Sequence, residues 1–318
     1  MKILVTGACG WIGKNVCAYL MSQGHEVMGA DCYETDGPWK SFCKLDITTP
    51  LDSFLPQEKL DAVIHCAGYA HRPHETPDEQ RMFYSVNRDG TKHILQWCIL
   101  TGVRKFLYVS SIAFYDWSSA KGEDVREEHP ISLLTHYARS KYEGEQLVAE
   151  SSLDWRVVRL STVFGEGDHA NFNRMAKAMK KKLFPIPGKG TARKSVIPIK
   201  LAAELIAEFA LMDNIPHRLI NVGLPIAPSL SRICDAFNSA CNFPKPYTIP
   251  LIPAKCIGKI GDIVGLLFGQ FPFTSTVLVK LTTSTAVSTK RMIACFPNTS
   301  FASFESYMEQ CKEYYRKL

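Results

Sequence analysis

MKILVTGACGWIGKNVCAYL, residues 1–20, is the stretch that decides the fold. Lys2 to Thr6 form a short apolar run suited to a buried strand, Gly7, Gly10 and Gly13 punctuate the turn after it, and Lys14 to Leu20 open a helix. A strand, a glycine turn and a helix in that order bring unpaired backbone N–H groups and the positive end of a helix dipole to one point, which suits a pyrophosphate. The pattern TGACGWIG, with Trp11 and Ile12 between the last two glycines, is T-G-x-x-G-x-x-G, one residue longer in its first gap than the commonest dinucleotide fingerprint.

Outward from it, HEVMGAD is a second apolar strand ending in Asp31, where a carboxylate would meet adenosine ribose hydroxyls. That acid repels a 2′-phosphate and no arginine follows it, so NAD is favoured over NADP. KLDITTP closes a third short strand at Asp46 and Ile47. DAVIHCAGYAH reads as a buried strand, Ala62 to His65, running into Cys66, Ala67 and Gly68, whose small side chains let a flat ring or a pyrophosphate approach the backbone. His65 and His71 have no carboxylate or cysteine partner at ligand spacing, so no metal site is expected. Glu79 to Trp97 is helical, with Asn87, Gly90 and Thr91 inside it; a glycine there costs about 1 kcal/mol relative to alanine and points to close packing against the cofactor half. KFLYVSS is a further buried strand, with Ser110 and Ser111 at its C-terminal end, the edge at which open α/β sheets bind ligands.

HYARSKYEGEQLV places Tyr137 and Lys141 four apart on one helix face. A tyrosine with its ordinary pKa of about 10 is a poor base at neutral pH; a lysine cation beside it, with the positive ring of an oxidised nicotinamide, favours the phenolate. WRVVRLSTVFGEGD then supplies a sixth strand ending at the same edge. Beyond it the alternation loosens into a basic amphipathic helix, FNRMAKAMKKK, and a Pro/Gly-rich loop, LFPIPGKGTARKSVIPI, that returns into a short strand. Leu201 to Met212 is an apolar helix, Leu219 to Gly223 a short strand, and Phe301 to Lys317 a closing helix. The β and α alternation implies an α/β fold with a Rossmann-type, doubly wound parallel sheet. It predicts an NAD-binding domain over residues 1–165 with a return segment at about 193–223, and a smaller, discontinuous α/β substrate lobe from 166–192 and 224–318.

The 318 residues, 46% hydrophobic and 21% charged, have the composition of a globular protein and exclude a disordered chain. The net charge of +6 is spread along the sequence, which favours anionic small molecules or a weakly acidic membrane surface over nucleic acid. The eleven cysteines form no C-x-x-C pair and no zinc spacing, so they are expected to be reduced and mostly buried in a cytoplasmic protein. The first strand begins at the N-terminus, so no signal peptide is expected, and no apolar run is long enough to span a bilayer. In TIPLIPAKCIGKIGDIVGLLFGQFPF, residues 248–273, Ile257, Ile260, Val264 and Leu267 share a helical stripe, while Lys255, Lys259 and Asp262 interrupt the apolar run. Such a stripe either faces the core of the smaller lobe, its ordinary use, or lies on a membrane surface as a peripheral contact. Pairing into a homodimer stays open.

TGACGWIG, Asp31, LDI, HCAG, Asn87 with the GT after it, VSS followed by FY, YARSK and RLSTVFG stand in the order and spacing of the extended short-chain dehydrogenase/reductases. The chain resembles their NAD-dependent epimerase/dehydratase group, which works on nucleotide sugars. The resemblance implies that Gly7, Gly10, Trp11, Ile12 and Gly13 cradle the pyrophosphate of NAD, that Asp31 holds the adenosine ribose and that Asp46 and Ile47 flank the adenine. Cys66, Ala67 and Gly68 would line the cofactor path, with Asn87 behind. Ser111 stands the family's distance before Phe114 and Tyr115 and matches its catalytic serine. Tyr137 matches the acid/base, and Lys141 the lysine that binds the nicotinamide ribose and lowers the tyrosine's pKa. Thr162 stands where the family usually has an asparagine that contacts the sugar diphosphate, and Lys200 where it has an acidic or amide residue in the strand after the basic loop. Asn171 and Arg193 match places where members of the group hold a diphosphate. The second half is most similar to bacterial 4-epimerases of N-acetylhexosamines, including those acting on polyprenyl-diphosphate-linked sugars at the inner face of the membrane.

What the resemblance implies is an NAD-dependent 4-epimerase of a UDP-linked or polyprenyl-diphosphate-linked hexose or N-acetylhexosamine. Tyr137 would take the C4 hydroxyl proton while Ser111 hydrogen-bonds the same oxygen, NAD accepts and returns the C4 hydrogen, and a transient 4-keto sugar is inverted. The alternative, an NAD(P)H-dependent 4-keto nucleotide-sugar reductase, needs the same serine, tyrosine and lysine. A 4,6-dehydratase would place an acidic pair where Ile112 and Ala113 stand. A non-catalytic dinucleotide sensor would share the fold without the chemistry.

Overall fold

The computed structural model describes all residues except 52–58, 71–75, 121, 269–270 and 272, and for Phe268 the backbone only; His71 therefore lies outside the described residues. The chain runs through β1 (Lys2–Thr6), α1 (Trp11–Ser22), β2 (Glu26–Asp31), β3 (Ser41–Lys44), β4 (Ala62–His65), α2 (Pro77–Tyr84), a π-helical turn at Ser85–Gly90, α3 (Thr91–Thr101), β5 (Lys105–Ser111), α4 (His136–Ala149) and β6 (Asp154–Leu160). It continues through β7 (Thr162–Phe164), α5 (Asn171–Lys180), β8 (Ile186–Pro187), β9 (Val196–Pro198), α6 (Ile199–Leu211), β10 (Leu219–Val222) and α7 (Leu230–Cys241). It closes with β11 (Thr248–Ile249), α8 (Leu251–Phe268), α9 (Ser275–Thr282), α10 (Lys290–Cys295) and α11 (Phe304–Lys317).

Among the described residues, the central sheet has seven strands in the order β3-β2-β1-β4-β5-β6-β10, every neighbour parallel. Its inner strands are buried on both faces, while the edge strand β3 is half-buried to exposed, and the two-residue period divides the inner side chains between two hydrophobic clusters. Ile3 and Val5 of β1, Leu107 and Val109 of β5 and Val158 of β6 join α1 and α6 on one face. Leu4, Phe106, Tyr108 and Val157 join α3 and Val148 of α4 on the other. This is the doubly wound α/β arrangement that the alternation of elements implies.

Three local features differ from the sequence reading. First, α1 begins at Trp11 rather than Lys14, which puts Gly13 in its first turn, where a Cβ would land on the Gly7 carbonyl oxygen. Second, the run 155–164 is two strands: Ser161 N donates to Val222 O at 3.0 Å, after which β7 leaves the sheet to pair with β9. Lys200 consequently lies in the first turn of α6 and not in a strand. Third, α8 turns Ala254, Gly258 and Gly261 inward and leaves Ile257, Ile260 and Leu267 exposed, with Val264 half-buried. The core-facing use of that stripe is not realised, because Gly258 and Gly261 bring the helix backbone against Ser275 and Phe273 and so make the small residues the packing face. No helix among the described residues is long and apolar enough to cross a membrane.

The hydrophobic cluster on the α1 and α6 face runs without interruption from Ile3 to Tyr315. Phe164 and Phe172 stack at 5.0 Å between ring centres, Phe304 packs on both, and the Tyr315 hydroxyl accepts from Gly165 N at 2.8 Å.

Candidate active site

Gly7 follows β1 at φ 67°, a conformation that side chains disfavour, and a Cβ there would stand 2.6 Å from Ala67 Cα. The glycine turn is therefore pressed onto the loop after β4. Gly10 caps α1 without a side-chain acceptor, which leaves the positive end of the helix open to a phosphate. Trp11 Nε1 donates to Glu166 O at 2.8 Å and ties this turn to the segment after β7. Asp31 accepts from Cys9 N at 3.0 Å and Cys32 N at 2.8 Å, so its carboxylate is anchored beside the turn. Asp46 accepts from Thr48 N and Oγ1, and Ile47 is buried against Gly90. A cradle that only glycine fits, an open helix N-terminus and a fixed carboxylate, all at the C-terminal ends of β1 and β2, fit the pyrophosphate and adenosine of NAD.

Asn87 sits in the π-helical turn, a wide turn of a kind frequent at functional sites. Its Oδ1 accepts from Tyr69 N at 2.8 Å, and its Nδ2 donates to Tyr69 O and to Ser140 Oγ, both at 3.0 Å. One buried amide thus clamps the Cys66–Ala67–Gly68 loop to α4. A Cβ at Gly144 would land on the Asn87 carbonyl oxygen, so α4 lies directly on this turn. His65 is buried with Nδ1 2.6 Å from Thr6 Oγ1 and Nε2 3.1 Å from Thr91 Oγ1, and burial pulls its pKa down to about 3, leaving a neutral imidazole. Burial pushes the Cys66 thiol up to about 12.

The two serines of β5 part company. Ser110 Oγ donates to Glu145 Oε2 at 2.6 Å in the interior. Ser111 accepts from Ala113 N at 3.1 Å, capping a short 3-10 turn at Ile112–Phe114, and hydrogen-bonds the Tyr137 side chain. Burial pushes the Tyr137 hydroxyl above its ordinary pKa, and the Ser111 bond draws it back down. Lys141, one turn along α4, donates from Nζ to Val109 O at 2.7 Å and lies 4.1 Å from the centre of the Tyr108 ring. Burial draws its pKa down to about 7 against the opposing pull of Glu145 and Cys66. The Lys141 amine is thus directed at the β5 backbone, while Ser111 hydrogen-bonds the phenol.

Behind this set lies a buried network that the sequence reading did not find. Arg159 Nη2 and Glu145 Oε1 are 2.5 Å apart, Arg159 Nη1 donates to the Tyr115 hydroxyl and to Glu127 O, and Tyr115 donates to Asn221 Oδ1 at 2.7 Å. A signal was present: an arginine inside an apolar strand requires a buried counter-charge, and Glu145 lies one turn beyond Lys141 on the same helix face.

The residues matched to a diphosphate are engaged elsewhere. Thr162 is half-buried and its N–H donates to Ser195 O at 3.2 Å. Asn171 is exposed at the start of α5 and accepts from Arg174. Arg193 pairs with Asp124 at 2.6 Å and donates to Gly122 O at 3.0 Å. Among the described residues, no group of three or more His, Cys, Asp or Glu side chains is placed to hold a metal ion.

These features define a dinucleotide-dependent α/β enzyme. The chain belongs to the NAD dependent epimerase/dehydratase family, whose model matches residues 3–223. Relatives include the UDP-glucose 4-epimerase of Vibrio cholerae, 30% identical over 64% of this chain and 65% of that protein. A second is the N-acetyl-alpha-D-glucosaminyl-diphospho-ditrans,octacis-undecaprenol 4-epimerase of Escherichia coli O157:H7, 27% identical over 66% of this chain and 64% of that protein. The chain thus spans just under two thirds of either relative. Among solved structures, UDP-glucuronic acid 4-epimerase from Bacillus cereus, in complex with UDP-glucuronic acid and NAD, shares the fold with a TM-score of 0.73 and 19% identity, covering 100% of this chain and 99% of that one.

Proposed function

We propose that the chain is a sugar 4-epimerase acting on a hexose or N-acetylhexosamine carried on UDP or on a polyprenyl diphosphate. The observation that carries this reading is the Ser111–Tyr137 hydrogen bond at the C-terminal end of β5, with Lys141 one turn further along α4. NAD, when bound, supplies the acceptor and the returning donor for the C4 hydrogen. Tyr137 takes the proton from the C4 hydroxyl and later returns it, and Ser111 holds both that oxygen and the phenol in line. Lys141 holds the nicotinamide ribose, Asp31 the adenosine ribose and the Gly7–Gly13 turn the pyrophosphate, while Asn87 fixes the loop along which the cofactor lies.

Segments 166–192 and 224–318 supply the substrate side in this reading, with Thr162, Asn171 and Arg193 toward the diphosphate. For Arg193 that role requires the anion to displace Asp124. The two 4-epimerase relatives support the reaction, and the undecaprenol-linked substrate named for one of them supports the lipid carrier. A lipid-linked substrate places a cytoplasmic chain at the inner face of a membrane; a homodimer belongs to the same reading.

Incubation with UDP-N-acetylglucosamine, and separately with its polyprenyl-diphosphate counterpart, without added reductant, should yield C4-inverted sugar detectable by NMR. Failure with both, alongside stoichiometric NADH or NADPH oxidation on a 4-keto sugar, would replace the epimerase with the reductase. Tyr137→Phe should lose about 10²–10⁴-fold in turnover while still binding NAD.

A further inference from the structure

We propose that α8 is a docking element that lies along the surface of an anionic lipid bilayer. The helix is built inside out. At 3.6 residues per turn, Ile252, Cys256, Ile260, Ile263 and Leu267 fall within an arc of about 80°. All five are exposed, Ile252 at 78%, Ile260 at 57%, Ile263 at 58% and Leu267 at 69%, and Leu266 beside them is 87% exposed. The opposite arc carries Ala254, Gly258 and Gly261, the buried residues of the helix. Ser275 N donates to Asp262 Oδ1 at 3.0 Å, which fixes the roll of α8 against α9 and keeps the apolar arc facing out.

A row of exposed apolar side chains along one face of a helix that does not cross a bilayer has the make-up of a surface-lying membrane helix. The charge pattern points the same way. Lys255 and Lys259 stand on one margin of the apolar arc, both exposed and without an acidic partner among the described residues, and the one acid of α8, Asp262, is committed to Ser275. Lysines so placed lay their stems on the apolar surface and lift their ammonium groups to headgroup level, where anionic lipid answers them. A second copy laid on the same face would bring more lysines and no free acid. Because no described helix crosses a membrane, the contact is peripheral. The proposal does not depend on the sugar chemistry, since the face is exposed without substrate.

Flotation of the purified full chain with vesicles of phosphatidylglycerol and phosphatidylethanolamine, against vesicles of phosphatidylcholine alone, tests it. Binding should be strong on the anionic vesicles, weak on the zwitterionic ones, and reduced by salt. Ile260→Ser with Ile263→Ser should weaken partitioning at least about tenfold. Lys255→Glu and Lys259→Glu should each weaken it about fivefold or more. Far-UV circular dichroism and melting temperature show that the variants are folded, and the substituted side chains are exposed. Wild-type protein left in the unbound fraction on anionic vesicles would overturn the proposal, as would apolar variants that float like the wild type. Binding unchanged by both lysine reversals would overturn the anionic requirement. A wild-type dimer in sedimentation velocity that Ile260→Ser with Ile263→Ser dissolves would assign the face to a second copy instead.

Discussion

Ser110 and Ser111 are chemically alike and one peptide apart, yet the strand period sends them to opposite sides of β5, one to Glu145 and one to Tyr137. The Ser111 hydrogen bond lowers the Tyr137 pKa, so Ser111→Ala should move the ascending, acidic limb of the pH–rate profile to higher pH and lower the neutral rate by about 10²-fold. Ser111→Thr keeps the hydroxyl and should restore much of both; kcat/KM measured against pH separates the three chains. Lys141 titrates in the opposite sense from most lysines. The unfolded chain keeps its proton up to an ordinary pKa of about 10.4, whereas the folded chain gives it up at about 7. Between those values the unfolded state binds more protons, so stability rises with pH across that window; below it both states are protonated and the contribution is flat. Lys141→Met should remove this rise, which thermal melts from about pH 6 to about pH 10 would show by comparison with the parent chain. At this scale Ser111, Tyr137 and Lys141 were legible because strand end and helix spacing together place them. The Val109 carbonyl that accepts the Lys141 hydrogen bond was not, because backbone acceptors leave no mark in a sequence.

The element that organises the site is α4, which carries Tyr137, Lys141 and Glu145 at successive four-residue steps. The first two stand against the end of β5, Tyr137 on Ser111 and Lys141 on the Val109 carbonyl, and the third anchors the helix to β6 through Arg159. Glu145→Ala should cost about 3–5 kcal/mol of stability, because it strands a buried guanidinium. Glu145→Met combined with Arg159→Met should recover a large part of that loss, since it removes both charges together; urea unfolding of the three chains measures it. Elements were legible where the period of apolar residues speaks for itself, as in β1, β4 and β5. They were misread where the partner changes without a change of period. Nothing in Thr162–Phe164 tells a strand that it will leave β6's sheet for β9. In α8 the aliphatic residues suggested the buried face, while the decisive pattern was the spacing of Ala254, Gly258 and Gly261, small residues through which one backbone approaches another.

At the scale of the whole molecule, the core that begins at Ile3 ends at Tyr315, so the C-terminal segments are not an independently packed unit. The five tryptophans, at 11, 39, 97, 117 and 155, all lie in the first half of the chain, whereas far-UV dichroism reports helices throughout. The shared core predicts that the two signals trace one coincident transition in denaturant; separated midpoints would show that the halves unfold apart. This unity was hidden from the sequence, where the loss of regular alternation after Gly165 suggests a boundary. The Tyr315 hydroxyl bound to Gly165 N, and the packing of Phe304 on Phe164 and Phe172, carry a consequence for the timing of synthesis. Every strand of the central sheet has been made once Val222 is added, but the aromatic cover of β7 and α5 beside it comes only with α11, which at 5–20 residues per second means a delay of roughly 4–20 seconds. During that interval a nascent chain with a complete sheet exposes the apolar face that α11 will later close, and this is when a chaperone has most to do.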